Sequence, residues 1–258
     1  MRLDKFLAEA GIGTRKDVRE YIKQGFVMVN GEVLKEPALE IKENIDVVSY
    51  KDKLVKSKGK VYYMFNKPSG CITATKDKDS KTVFDYFKED INGVFHVGRL
   101  DKDTEGLLLL TNDGEFEHHL MHPTKHVNKT YFFWALGFLS QDDKKSLEEG
   151  IFLGQGNVLA KPAKIEIYKE GNYLDFKDEI CIESLENIDC KNYNPKIVSG
   201  YLTISEGKKH QVKRMLKAVR CYVVYLKRVA IGDLKLDKSL EKGRYRRLTK
   251  DEINMLLK

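Results

Sequence analysis

Over the first fifty residues the apolar positions recur at helical spacing and then switch to strand-like runs. Leu3, Phe6, Leu7 and Ala10 repeat three to four apart, predicting a helix that Gly11 and Gly13 close. Thr14 followed by Asp17 has the form of a capping box, opening a second helix with Val18, Tyr21 and Ile22 inward and a stop near Gly25. Phe26-Val27-Met28-Val29 then meets Asn30-Gly31, a strong hairpin signal because a type I′ turn needs positive φ at both central residues. Residues 1–55 therefore predict a small α+β unit. The stretch 51–60, KDKLVKSKGK, solvates well and packs badly. It predicts a linker, with 56–60 dividing the unit from a larger domain over 61–258.

Beyond the linker, short strands dominate. Val61 to Phe65 is one, closed by Asn66-Lys67-Pro68-Ser69-Gly70; Val94 to Val97 is another. Leu107 to Leu110 is a continuous apolar strand ending at the turn Thr111-Asn112-Asp113-Gly114. Glu115 to Met121 predicts a helix that Pro123 stops. Tyr131 to Leu139 reads as a buried strand, with Trp134 in the core, and Ala163 to Tyr168 alternates with period two. Tyr201 to Ser205 predicts a strand and Gln211 to Val219 a helix whose apolar stripe is Val212, Met215, Leu216 and Val219. Interleaved strands and helices with hairpin-like turns predict an α+β fold, a mixed and largely antiparallel sheet with flanking helices, and argue against a doubly wound one.

Composition narrows the class. With 41% hydrophobic and 33% charged residues, wholesale disorder and collagen-like structure are excluded. The longest apolar run, Tyr131 to Leu139, is too short to span a bilayer, and the opening Arg2, Asp4 and Lys5 do not resemble a secretory signal. Cys71, Cys181, Cys190 and Cys221 show no CxxC spacing, so reduced structural thiols in a cytoplasmic protein are expected. The net charge of +7 is unevenly placed: residues 206–249 hold 14 Lys and Arg against 4 Asp and Glu. A concentrated cationic element suits a polyanion, nucleic acid first. In the N-terminal unit the polar helix positions hold Arg2, Lys5, Arg15, Lys16, Arg19 and Lys23, a second basic surface.

Among candidate chemical groups, Asp101 opens a polar loop between two strands, flanked by Arg99 and Lys102. A carboxylate beside cations stays ionised and can act as nucleophile or base. His118, His122 and His126 recur four apart, with His119 beside them, but Pro123 interrupts their helix and disfavours a metal site. Asp101 and Glu105 as a glycosidase pair fit the basic surroundings poorly. Gly11-x-Gly13 and Gly154-x-Gly156 lack the strand–loop–helix context of nucleotide-binding motifs.

Longer strings carry family resemblances. Arg2-Leu3-Asp4-Lys5-Phe6-Leu7, Thr14-Arg15 and Val27-Met28-Val29-Asn30-Gly31 resemble the S4 RNA-binding domain, of the αL type. Gly98-Arg99-Leu100-Asp101-Lys102-Asp103-Thr104-Glu105-Gly106-Leu107-Leu108-Leu109-Leu110-Thr111-Asn112-Asp113-Gly114 resembles the catalytic motif of pseudouridine synthases, in particular the RsuA branch. In chain order, Tyr63 to Gly70, Lys129-Thr130-Tyr131, Leu202 to Leu216 and the closing Gly232 to Thr249 resemble further motifs of that branch.

The resemblance implies conversion of a uridine in ribosomal RNA to pseudouridine, without metal or cofactor. It implies Asp101 as nucleophile, Tyr131 stacking on the uracil and assisting proton removal, and Lys213 pairing with Asp101 to keep it ionised. Arg99 would hold the flipped nucleotide, Leu202 would pack against the base, and His210 and Gln211 would complete the substrate site. Phosphate contacts would come from Lys208, Lys209, Arg214 and Lys217, and in the S4-like unit from Arg2, Lys5, Arg15, Lys16 and Arg19. The branch points to uridine 516 of 16S RNA, met in a small-subunit assembly intermediate by a monomeric enzyme with no membrane association. Large-subunit RNA is the alternative substrate, a non-catalytic RNA-binding or assembly factor the alternative class. Attack at C1′ and a glycal route both stay open.

Overall fold

The computed structural model describes every residue except 44, 57–58, 89–90, 155–157, 178, 180–193 and 258. Cys181, Cys190 and Gly156 thus lie outside the described residues, whereas Cys71 and Cys221 are buried free thiols.

The N-terminal unit opens with helices α1 (Leu3–Glu9) and α2 (Arg15–Lys23). The capping box forms as the spacing predicts: the Asp17 amide donates to Thr14 Oγ1 at 3.2 Å and the Thr14 amide to Asp17 Oδ2 at 3.1 Å. Strands β1 (Val27–Val29), β2 (Glu32–Val33), β3 (Val48–Tyr50) and β4 (Lys53–Leu54) follow in the order β2-β1-β3-β4. Asn30 and Gly31 turn the first hairpin with φ of 54° and 86°. Leu3, Leu7, Val18, Ile22 and Val27, all fully buried, weld the helix pair to the sheet. Each such side chain contributes about 1.5–3 kcal/mol of burial.

Two expectations shift here. Phe26 lies outside β1, 42% exposed, with the Lys51 ammonium 5.2 Å from its ring. The segment from Lys51 is not yet linker: Lys51 and Asp52 adopt φ of 48° and 62° and turn the chain into β4.

The larger domain contains β5 (Tyr62–Lys67), β6 (Phe95–Val97), β7 (Glu105–Thr111), α3 (Gly114–Met121), β8 (Lys129–Leu136), α4 (Gln141–Glu149), β9 (Lys164–Asn172), β10 (Lys196–Ile204), α5 (Gln211–Ala218), β11 (Tyr222–Ile231), β12 (Leu234–Lys235), β13 (Tyr245–Arg247) and α6 (Lys250–Leu257). One sheet runs β13-β5-β7-β11-β8-β10-β9, with β6 beside β7 and β12 beside β11. Pairing is antiparallel apart from β7 with β11. The expected α+β fold with a mixed, largely antiparallel sheet is what forms.

Strand β7 is buried along its whole length. Leu107 and Leu109 face Phe116 and Leu120 of α3, while Leu108 and Leu110 face Phe65, Cys71 and Val83. A strand covered on both faces has no polar side to alternate with, hence the unbroken apolar run. Gly106 (φ 99°) is required where β7 meets β11, since a Cβ there would lie 2.2 Å from the Arg228 carbonyl oxygen. Strand β11, the longest, is absent from the sequence expectation because Lys227-Arg228 interrupts its apolar pattern. The two units touch where Gly11 meets Asn92, a Cβ on Gly11 falling 2.7 Å from the Asn92 oxygen. Lys5 reaches across to Glu115 at 2.7 Å.

Candidate active site

Asp101 sits in a loop clamped from below by the chain that leaves β5. The Lys67 ammonium, fully buried, donates to the carbonyls of Asp101 (3.0 Å), Thr104 (2.9 Å), Pro68 (3.1 Å) and Lys102 (3.3 Å). Burial pushes its pKa below that of an ordinary lysine. The Thr73 hydroxyl donates to the Leu100 oxygen at 2.8 Å and accepts from the Leu100 amide at 3.1 Å. With backbone groups so engaged, the loop has little freedom to redirect Asp101.

The Asp101 side chain is one-third exposed and opens into a cleft of about 710 Å3 with Arg99, Lys129, Tyr131, His210 and Arg228 in its wall. A smaller adjoining hollow adds Ile204, Gln211, Lys213 and Leu226. The imidazole of His210 stands 3.5 Å from the Asp101 carboxylate. His210 takes a left-handed conformation (φ 52°) immediately before α5, which turns its ring toward the loop. Tyr131 is half-buried on β8.

One expectation is corrected. Lys213 does not pair with Asp101: its ammonium bonds both Asp103 oxygens, at 2.5 and 2.6 Å. The loop offers two carboxylates two residues apart, and α5 places the lysine over the second. Partial desolvation opposes ionisation of Asp103, and the Lys213 hydrogen bond and charge outweigh it, holding that carboxyl below the ordinary range.

Two further positions differ from their implied roles. Leu202, opposite Tyr131 across β8 and β10, is fully buried in the core behind the cleft, and Ile204 and Leu226 supply the apolar lining. Gln211 is spent on its own loop, donating to Glu206 at 2.6 Å and accepting from the Lys208 amide at 2.9 Å.

Many of the C-terminal cations are neutralised internally. Lys208 pairs with Glu206, Lys242 with Glu105, and Arg246 with Asp237 and Glu252, each within 2.8 Å. Arg214 donates to the Leu153 oxygen at 2.6 Å. Lys209, Lys217 and Arg99 stay exposed. Glu105 does not face Asp101 as a second acid: it is buried against Tyr225 and Lys242.

In the N-terminal unit Asp4 is fully buried and gathers Arg2 (3.0 Å), Arg19 (2.8 Å) and Arg15 (3.7 Å). Burial works to raise its carboxyl, and the guanidinium hydrogen bonds pull it below the ordinary value. Lys16 is exposed on α2; Lys5 is committed to Glu115. His118 and His122 lie with rings 4.8 Å apart, but α3 ends at Met121.

Sequence reasoning missed Lys67, Lys129 and Arg228. Lys67 read as a turn residue; its place directly before Pro68, at the end of an apolar strand, was the available signal. Lys129 stood in the quoted Lys129-Thr130-Tyr131 string without a role of its own, and Arg228 carried no signal, because burial of a lone cation is not written in local spacing.

Together these parts describe a basic RNA-type binding module in front of a catalytic domain whose cleft presents a carboxylate among cations and a tyrosine. The family model for RNA pseudouridylate synthase matches residues 61–218, and that for the S4 domain residues 1–47. The ribosomal small subunit pseudouridine synthase A of Haemophilus influenzae is 39% identical over 261 residues, covering 100% of both chains. The ribosomal large subunit pseudouridine synthase B of Bacillus subtilis is 37% identical over 258 residues, covering 99% of this chain and 95% of its own. A crystal structure of a pseudouridylate synthase aligns with TM-score 0.64 at 36% identity over 99% of each chain. The chain belongs to the S4-bearing RNA pseudouridine synthases, which are isomerases.

Proposed function

We propose that the protein isomerises one uridine of ribosomal RNA at the Asp101 cleft, the RNA being that of the small subunit and the site uridine 516 of 16S RNA. The observation that carries the reading is a solvent-reachable carboxylate, Asp101, in one cleft with Tyr131, Arg99 and Lys213. The target leaves its stack to enter, at a cost of a few kcal/mol. Exposed Arg99 stands at the cleft to hold the flipped nucleotide, and Tyr131 stacks on the base.

Asp101 acts as the nucleophile. The N1–C1′ bond breaks, the uracil turns, and a C5–C1′ bond replaces it. The proton lost from C5 is balanced by one gained at N1, so no co-reactant is consumed. Lys213 lines the same hollow, with its charge taken up by Asp103.

The small-subunit assignment draws on the opening Met1-Arg2-Leu3-Asp4-Lys5-Phe6 and on Ile204-Ser205-Glu206-Gly207, which resemble that branch. The enzyme acts as a cytoplasmic monomer on a partly assembled subunit. Large-subunit RNA is the second reading, favoured by the 37% identity to a large-subunit synthase. Mapping pseudouridine on both ribosomal RNAs in a strain lacking the protein, and after adding it back, separates the two. Loss of a 16S site supports the assignment; loss confined to 23S RNA overturns it.

A further inference from the structure

We propose that Arg228 and Lys129 form an anion-binding floor to the Asp101 cleft that takes a phosphate group of the everted nucleotide. This rests on the pseudouridine synthase reading and adds to it a ligand site separate from the carboxylate and the stacking ring.

The two cations converge through strand geometry. Lys129 precedes Tyr131 by two residues on β8, so their side chains share a face. Arg228 of β11 lies directly opposite Tyr131 in the antiparallel register. All three side chains line the cleft that contains Asp101. Gly106 lets the β7 backbone approach that of Arg228 closely, a Cβ there falling 2.2 Å from the Arg228 carbonyl oxygen.

Neither cation is satisfied. Arg228 is 3% exposed and uses one of its five donors, Nε to the Leu107 oxygen at 2.7 Å. Its Nη2 is buried with no hydrogen-bond partner. Lys129 is 8% exposed and, among the described residues, donates to the Val127 oxygen alone, at 2.8 Å. Among the described residues no carboxylate lies within ion-pair distance of either, although Asp101 lines the same cleft and is faced by His210. Burial, then the neighbouring Arg228, pushes the Lys129 ammonium down to about 8.

Two adjacent buried cations without a counter-charge are costly. A neutral uracil would leave that charge uncompensated. A phosphate supplies it: each nucleotide of the substrate carries one, and a guanidinium fork with an ammonium beside it matches its oxygens. The other cations lining the cleft, Arg99, Lys102, Lys208 and Lys209, stand nearer solvent than this pair.

The test is calorimetric binding of uridine, uridine 5′-monophosphate and uridine 3′-monophosphate to the full chain, to Arg228→Gln and to Lys129→Gln. Wild type should bind one of the two monophosphates at least about tenfold tighter than uridine, the span of one charge-assisted pair. That preference should shrink to less than about threefold in both variants, while uridine itself binds as before. Equal binding of all three ligands by wild type, or an undiminished preference in the variants, overturns the proposal. Should Arg228→Gln fail to fold, as its melting curve would reveal, Arg228→Lys keeps the charge without the fork and should retain part of the preference. Conversion of ribosomal RNA by wild type is scored separately. Conversion without a phosphate preference removes only the anion floor; a phosphate preference without conversion removes only the enzymatic reading.

Discussion

The protein gathers arginines and lysines in two places and treats them in opposite ways. At the N-terminal helix pair, buried Asp4 holds Arg2, Arg15 and Arg19 by their guanidiniums, and all three keep 42–59% of their side chains in solvent. In the Asp101 cleft, Arg228 and Lys129 are buried, and among the described residues no carboxylate lies within ion-pair distance of either. The first arrangement spreads pre-aligned positive charge over a surface, suited to many phosphates of a structured RNA. The second stores unbalanced charge at a point, so that the arriving ligand completes it.

Four perturbations sharpen or break this contrast. The largest effect should come from Lys67→Met. It takes the ammonium away from four carbonyls: those of Asp101 and Lys102 keep a backbone donor, from Thr104 and Gly70, while those of Pro68 and Thr104 lose theirs at about 1–3 kcal/mol for each group left unsatisfied. The loop under Asp101 should loosen, with a lower melting temperature and pseudouridine formation reduced at least about a hundredfold. Unchanged melting and turnover would show that the clamp is incidental.

Next is Lys129→Met, which should stabilise the protein by about 1–3 kcal/mol at neutral pH while weakening catalysis, because a buried unpaired charge is removed. Its pH dependence has a definite sign. With a folded pKa of about 8 against the lysine value of 10.5, the folded chain binds fewer protons than the unfolded one between those values. Wild-type stability therefore gains as pH rises through that window, and the variant should lack the gain. Denaturant titrations at pH 7 and 9.5 read both effects; destabilisation by the methionine would contradict the cleft half of the contrast.

Asp4→Asn should cost about 1–2 kcal/mol, discounted because its arginine partners are half in solvent. It adds a net positive charge, yet RNA affinity should fall several-fold as the arginines lose alignment. Tighter binding in a filter assay would mean that charge count, not arrangement, governs docking. The Asp4 carboxyl has a depressed folded pKa, so its stabilisation is complete above the ordinary carboxylate value and fades as pH falls through the lower folded one. The penalty of the variant should fade over the same acid range.

The smallest effect belongs to Lys5→Ser. The Lys5–Glu115 pair is largely exposed on the acid side, and its loss should cost under about 1 kcal/mol in melting experiments. A larger loss would make this ion pair a principal tie between the two units.

Features whose causes are local were readable in the chain. Thr14 and Asp17 cap α2 through atoms three residues apart, Asn30-Gly31 turns its hairpin by φ preference, and the Leu107–Leu110 run announced a doubly covered strand. The open loop that carries Asp101 was legible in the polar string between two apolar strands. The rest depended on the third dimension. Strand β11 hid behind Lys227-Arg228, whose charges look like solvent-exposed lysine-rich surface until β8 is laid beside them. Lys213 was expected on Asp101 and bonds Asp103 instead, because which carboxylate of the loop lies under the helix is settled only where loop and helix meet in the folded chain. Lys51 to Leu54 read as linker by composition, although two left-handed residues make a hairpin there. Leu202 shares a strand with cleft residues yet lies fully in the core.

The account turns on the Asp101 side chain, and Asp101→Asn changes its charge with almost no change of shape. Single-turnover conversion of a ribosomal RNA substrate, measured beside equilibrium binding of the same RNA, isolates that charge. Binding within about twofold of wild type together with a loss of conversion of at least about a thousandfold is the predicted result. Conversion at the wild-type rate would contradict it.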